Sequence, residues 1–176
     1  MLFLILCFCL SISIVGFSLY TGISPMPSSC KAKKCLVRAV PQDVNTIYEL
    51  GSGWGGLACS LAKKYPQAQI HAFEISLLPW LISLIRQKIG KYSNLKIYRK
   101  NFYKISLEDA DVIICYLYPG AMQKLKKKFN RELKLSALII SNCFAVPGWD
   151  PDKILRVSDL WRSEILIYKV LTRKSE

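Results

Sequence analysis

The sequence predicts an α/β fold, a mostly parallel sheet covered by helices, behind one apolar N-terminal segment. Apolar runs of strand length alternate with helical patterns from Thr46 onward. The run Val112-Ile113-Ile114-Cys115 is apolar at every position, as strands buried on both faces are. No charged side chain or histidine precedes Lys31, although the 176 residues carry 25 Lys+Arg against 12 Asp+Glu, a net charge of +13. A chain of this length is one domain by default. Its 52% hydrophobic content excludes a disordered basic tail, which lacks the apolar surface needed to offset ordering entropy.

Residues 2–20 are nearly all Leu, Ile, Phe, Cys, Val and Ser. As a helix they would extend about 28 Å, close to the roughly 30 Å hydrocarbon core of a bilayer. A cleaved secretory signal calls for a basic start and a small-residue cleavage site, and a buried core helix is rarely this long. Residues 1–23 are therefore expected to be one transmembrane anchor. The first basic cluster, Lys31, Lys33, Lys34 and Arg38, lies on its carboxyl side, which places the N-terminus outside and the rest in the cytoplasm.

Residues 24–45 read as a linker and a small amphipathic helix. Pro25 and Pro27 end the membrane helix, and Ser28 or Ser29 is available to cap the next one. Ala32, Cys35, Leu36, Ala39 and Val40 then recur at helical spacing until Pro41 breaks the pattern. In residues 46–176, strands are expected at 46–50, 69–75, 95–99, 112–118, 137–143, 153–157 and 164–170, with helices at 57–64, 80–89 and 121–129. The last two strands have no long connection, so the final one should return antiparallel to the rest. The seven cysteines are scattered and His71 is the single histidine, which lacks the paired spacing of a zinc site and suits a reducing compartment.

The strongest functional signal is the first strand-to-helix turn, Glu49-Leu50-Gly51-Ser52-Gly53-Trp54-Gly55-Gly56. Glycines there let the backbone approach a ligand closely, and the following helix points free N–H groups into the crevice where open α/β sheets bind ligands. Such a cluster after a buried strand is costly without a use. Gly51-x-Gly53-x-x-Gly56 can be read as a dinucleotide fingerprint, with Glu74 at the end of the second strand holding a ribose. Glu49-x-Gly51-x-Gly53-x-Gly55 instead resembles the first motif of class I S-adenosylmethionine-dependent methyltransferases. Glu49 favours the second reading, because a cofactor carrying an amino group and a sulfonium gives its charge a partner.

Further along, Tyr116-Leu117-Tyr118-Pro119 after the fourth strand and Asn142-Cys143-Phe144-Ala145-Val146-Pro147-Gly148-Trp149 after the fifth are similar to a narrower group. It comprises small membrane-anchored methyltransferases, among them uncharacterised bacterial proteins and the mitochondrial lysine methyltransferases of the ATP synthase c-subunit and the adenine nucleotide translocase. The resemblance implies a Rossmann-like, seven-stranded class I methyltransferase sheet with an antiparallel last strand. It implies S-adenosyl-L-methionine as cofactor, held by Glu49, Gly51, Ser52, Gly53, Gly55 and Glu74. Asn101 and Phe102 stand where such enzymes often place an Asp for the adenine amine; Asn accepts through its carbonyl oxygen and Phe102 can stack on the ring. Tyr116, Tyr118 and Pro119 lie next to the expected methyl position and would orient an acceptor amine, with Asn142 and Trp149 as weaker candidates for the acceptor wall.

A membrane protein's lysine side chain is the acceptor the resemblance implies. Methylation of a lipid or quinone-like small molecule at the membrane surface is a second enzyme reading, and a non-catalytic nucleotide-binding or NAD-dependent module is a reading of another class. The basic run Lys124, Lys126, Lys127, Lys128 and Arg131 is expected to lie against an anionic bilayer first, or to be a solvated face second. Nucleic acid ranks third, since no base-stacking or groove-reading motif accompanies the charge.

Overall fold

The structure is a computed structural model and describes residues 29–171. The anchor expected at 1–23 lies outside the described residues, and among those described no helix is long and apolar enough to cross a membrane. The elements are α1 (Cys30–Ala39), β1 (Thr46–Leu50), α2 (Gly56–Lys64), β2 (Gln69–Phe73), α3 (Leu77–Gly90), β3 (Leu95–Tyr98), β4 (Val112–Cys115), α4 (Pro119–Glu132), β5 (Leu138–Asn142), β6 (Lys153–Arg156) and β7 (Glu164–Lys169). Ser29 caps α1 by accepting from the Ala32 N–H at 3.0 Å. Proline decides two other starts. Pro119 occupies the first turn of α4, where its missing N–H costs nothing, and Pro79 is tolerated in the first turn of α3. Both helices begin two or three residues earlier than expected, and β4 stops at Cys115 rather than at residue 118, because its pairing with β1 and β5 ends there, opposite Leu50 and Ser141.

The strands form one sheet in the order β3-β2-β1-β4-β5-β7-β6. β1 to β5 are mutually parallel, and β7 runs antiparallel to both β5 and β6, so β6 points the same way as the parallel set. Strand residues alternate between two cores. Ile47, Ile70, Leu95, Val112, Ile114 and Ile140 pack under α1, α2 and α3, while Leu50, Ile113, Cys115, Ile139, Leu166 and Tyr168 pack under α4. Ala32 and Leu36 place α1 inside the first core.

The second face is covered unevenly, contrary to burial of the strands on both sides. Between β3 and β4 the chain makes only a 3-10 turn, Phe102–Lys104, and an open groove of about 570 Å³ remains over Tyr48, His71, Phe73 and Tyr98. The basic run on α4 is also not a single solvated face. Lys128 turns inward and pairs with Glu132 at 2.6 Å, and Lys124 lies over the Tyr103 ring, leaving Lys127 and Arg131 outermost.

Candidate active site

The sheet order reverses between β1 and β4, and the crevice beyond their carboxyl ends is where such sheets take ligands. On the β1 side the glycine loop is tied to its neighbours at every step. The N–H groups of Gly51 and Ser52 donate to the Phe73 carbonyl at 2.9 and 3.0 Å. The Gly53 N–H donates to Glu74 Oε2 at 2.8 Å, while Glu74 Oε1 accepts from the Ser76 N–H at 2.8 Å. Gly51, Gly53 and Gly55 all have positive φ, at 76°, 52° and 73°. At Gly55 a Cβ would sit 2.7 Å from Ser83 Oγ and 3.1 Å from Ser83 Cα, so glycine is required there by both conformation and space.

Ser83 is a site residue that sequence reading missed. It is fully buried in α3, and its hydroxyl lies 2.8 Å from the Gly53 carbonyl and 2.9 Å from that of Pro79. One proton thus serves the loop and the helix. A lone serine amid Trp80, Leu81, Ile82, Leu84 and Ile85 was the available signal, a polar residue on the buried side of an apolar helix.

Glu49 reaches into the same loop from β1. It is only 5% exposed, one oxygen accepts from the Ala58 N–H in the first turn of α2, and Oε2 has no partner among the described residues. Burial, reinforced by the Glu74 charge and opposed by the Ala58 bond, pushes its carboxyl up to about 8. The hydroxyl of buried Ser52 is likewise without a partner there. A buried carboxylate with an open oxygen beside the glycine loop fits a cationic ligand, and the unpartnered Ser52 hydroxyl fits a polar one. The α2 N-terminus is partly occupied by Glu49 itself, so the free N–H groups expected there are fewer than the sequence suggested.

Asn101 and Phe102 are placed differently from one another. Asn101 Oδ1 accepts from the Tyr103 N–H at 2.9 Å and caps the 3-10 turn, next to the Glu74 side of the crevice. Phe102 points into the core under α4, its ring centroid 4.5 Å from that of Tyr103.

Across the crevice, Leu50 pairs with Cys115, so Tyr116 follows directly opposite Gly51. Leu117 is buried, and its Cδ2 stands 3.0 Å from where a Gly51 Cβ would be, which locks the β4 loop onto the glycine loop. Tyr116 and Tyr118, on either side of it, are half-buried. The Tyr116 ring stacks on Phe144 at 6.1 Å and its hydroxyl hydrogen-bonds Cys143; burial raises its ionisation above the ordinary phenol value, with the Cys143 and Asp159 charges adding to the effect. The Tyr118 ring lies over the first turn of α4, where a Cβ on Gly120 would meet it at 2.6 Å, and the Tyr118 carbonyl accepts from the Ala121 N–H at 3.0 Å. Pro119 is exposed beside it.

Residues 49–153 match the ANTKMT methyltransferase domain, from the carboxylate of β1 to the start of β6. The chain belongs to this family. It is a methyltransferase, and S-adenosylmethionine is its cofactor, which decides between the two readings of the glycine loop. The methyltransferase domain is 26% identical over 138 residues to a protein-lysine N-methyltransferase of Saccharolobus islandicus, covering 77% of this chain and 84% of that one. It is 26% identical over 132 residues to the human lysine N-methyltransferase of the ATP synthase c-subunit, covering 73% of this chain but only 55% of the human protein. Its fold is shared with an RNA methyltransferase of Salinibacter ruber solved with S-adenosyl-L-homocysteine, at a TM-score of 0.76 and 20% identity over 86% of this chain and 97% of that one.

Proposed function

We propose that the chain methylates a lysine side chain of a membrane protein, from a cytoplasmic-side domain (46–176) tethered through residues 24–45 to an anchor at 1–23. The observation that carries the reading is the seating of Leu117 on Gly51, which sets Tyr116 and Tyr118 beside the glycine loop. When bound, S-adenosylmethionine supplies an electrophilic methyl group on a sulfonium. Glu49 would face its positive charge, the backbone of Gly51, Ser52, Gly53 and Gly55 would allow close approach, and Glu74 would accept from the ribose hydroxyls. Asn101 would border the adenine, with Phe102 in the core behind it.

A lysine ammonium has no lone pair, so the amine must shed a proton to water before it attacks. Entry into a half-buried aromatic crevice disfavours the charged form. The phenol oxygens of Tyr116 and Tyr118 and the backbone at Pro119 accept hydrogen bonds from the amine and aim its lone pair. Displacement at a sulfonium needs no protonated leaving group, so positioning and exclusion of water are the residues' main contribution. The lysine acceptor is supported by the relatives named for protein-lysine and ATP synthase c-subunit lysine methylation, and the membrane setting by the uncharged apolar run at 2–20.

Incubating the full chain with membranes and methyl-labelled S-adenosylmethionine tests this. Label should be recovered as methyllysine after protein hydrolysis; label that extracts into organic solvent instead would favour the lipid or quinone-like acceptor.

A further inference from the structure

Basic helix α4 does not offer a membrane one continuous face, but another surface combines exposed apolar side chains with positive charge. In the loop joining β6 to β7, adjacent Leu160 and Trp161 are 88% and 63% exposed. The loop is braced from within: Asp159 accepts from the Ser163 N–H and hydroxyl, each at 2.8 Å. It is also braced against the start of α1, where the Ser29 hydroxyl donates to Asp159 Oδ2 at 2.5 Å and Lys31 Nζ donates to the Ser158 carbonyl at 2.7 Å. The two apolar side chains are therefore held outward at the point where the chain arrives from residues 1–28.

Three features say what meets them. Eight residues separate Tyr20, the end of the uncharged apolar run, from Ser29, and even fully extended they reach no more than about 30 Å. Exposed Lys31, Arg156 and Arg162 flank the loop against the two acids Asp159 and Glu164, Glu164 pairing with Arg156 at 3.3 Å, so the loop keeps a positive excess of one charge. Tryptophan beside leucine with basic neighbours suits the headgroup layer of an anionic bilayer, where an amphipathic ring has both an apolar and a wet side. Two side chains fall well short of the roughly 800 Å² per partner of a stable protein interface.

We propose that Leu160 and Trp161 dip into the lipid–water interface of an anionic bilayer beside the anchor. The inference rests on the reading of residues 1–23 as that anchor. Its consequence is orientation. β6 runs parallel to β1 and β4, so this loop lies at the same edge of the sheet as Gly51 and Tyr116, and the Asp159 charge is felt at the Tyr116 hydroxyl. The crevice then opens along the membrane surface, where a lysine on a membrane protein is presented.

The test uses the full chain with vesicles of phosphatidylcholine containing a minority of phosphatidylglycerol, with and without brominated acyl chains. Trp161 is isolated from Trp54, Trp80 and Trp149 by subtracting the emission of Trp161→Phe. Flotation of the protein with the vesicles, together with loss of most of the Trp161 emission in brominated lipid, is the expected result. Flotation without quenching overturns the interfacial loop and leaves the anchor standing. Failure to float removes the anchor reading and this inference with it. A Trp161 emission that shifts with protein concentration in the absence of vesicles overturns the bilayer in favour of a second copy of the chain.

Discussion

On the β1/β2 side of the crevice the glycine loop donates to the Phe73 carbonyl and the Glu74 carboxylate and accepts from the Ser83 hydroxyl, and the Glu49 side chain accepts from the Ala58 N–H, whereas on the β4/β5 side Tyr116 and Tyr118 are positioned by ring packing on Phe144 and over Gly120. The difference matches two different tasks. A cofactor of unvarying shape and charge rewards a preorganised cradle, since little ordering remains to be done on binding. The acceptor proposed above, a side chain that arrives with its own protein, would need orientation more than enclosure, and aromatic rings would supply it with few bonds to break.

Breaking the pinned side should have the largest effect. Gly55→Ala forces a left-handed backbone on an L-residue, about 1–2 kcal/mol, before its clash with Ser83 is counted. The melting temperature should fall by at least about 2 °C, and cofactor titration should show binding lost.

Glu49→Gln should come next, keeping the shape and removing the charge. Loss of a charged partner of about 1.5–3 kcal/mol corresponds to roughly ten- to hundredfold weaker S-adenosylmethionine binding by calorimetry. Its effect on the cofactor-free protein has the opposite sign. A carboxyl raised to about 8 contributes stability that is fully present below its ordinary 4.5 and is lost as pH rises through about 8. Above pH 8 the Gln variant should therefore melt higher than the wild type, and the difference should vanish at acidic pH.

On the packed side, Tyr118→Phe keeps the ring over Gly120 and removes one acceptor oxygen. Methyl transfer to a lysine acceptor should slow about five- to tenfold, the worth of one net hydrogen bond, with cofactor affinity and melting temperature unchanged. A fall in cofactor affinity instead would place Tyr118 in the cradle. Ser83→Ala should have the mildest effect: it removes the donor to the partly buried Gly53 carbonyl at a cost of about 1 kcal/mol. A few degrees of melting temperature and a few-fold in cofactor affinity are expected.

The pinned half of the site was far more legible in the sequence than its bracing. Glu49, the glycines and Glu74 announce themselves because they stand at the carboxyl ends of β1 and β2, where a carboxylate and a glycine cluster follow mostly buried strand residues. Ser83 does not, since its partner is 30 positions away and a serine inside a helix is ordinary by itself. The Ser29 cap of α1 could be read locally, but its bond to Asp159 spans 130 positions and needs the β6–β7 hairpin to exist first. Phe102 marks the opposite failure: an aromatic beside a binding position looks like a stacking platform, yet the short 3-10 turn rotates it into the core. On α4 the i,i+4 spacing allowed the Lys128–Glu132 pair to be read, but not that Lys128 is buried with it, while Lys124, Lys127 and Arg131 stay exposed.

Calorimetry of S-adenosylmethionine binding at pH 7, in buffers of different ionisation enthalpy, tests the role of Glu49 most directly. With its carboxyl raised to about 8, Glu49 is mostly protonated before binding, and a positive charge beside Oε2 pulls that proton off. Close to one proton should be released by the wild type beyond that released by Glu49→Gln. Equal proton release from the two proteins would contradict the assignment of Glu49 as the partner of the cofactor's positive charge.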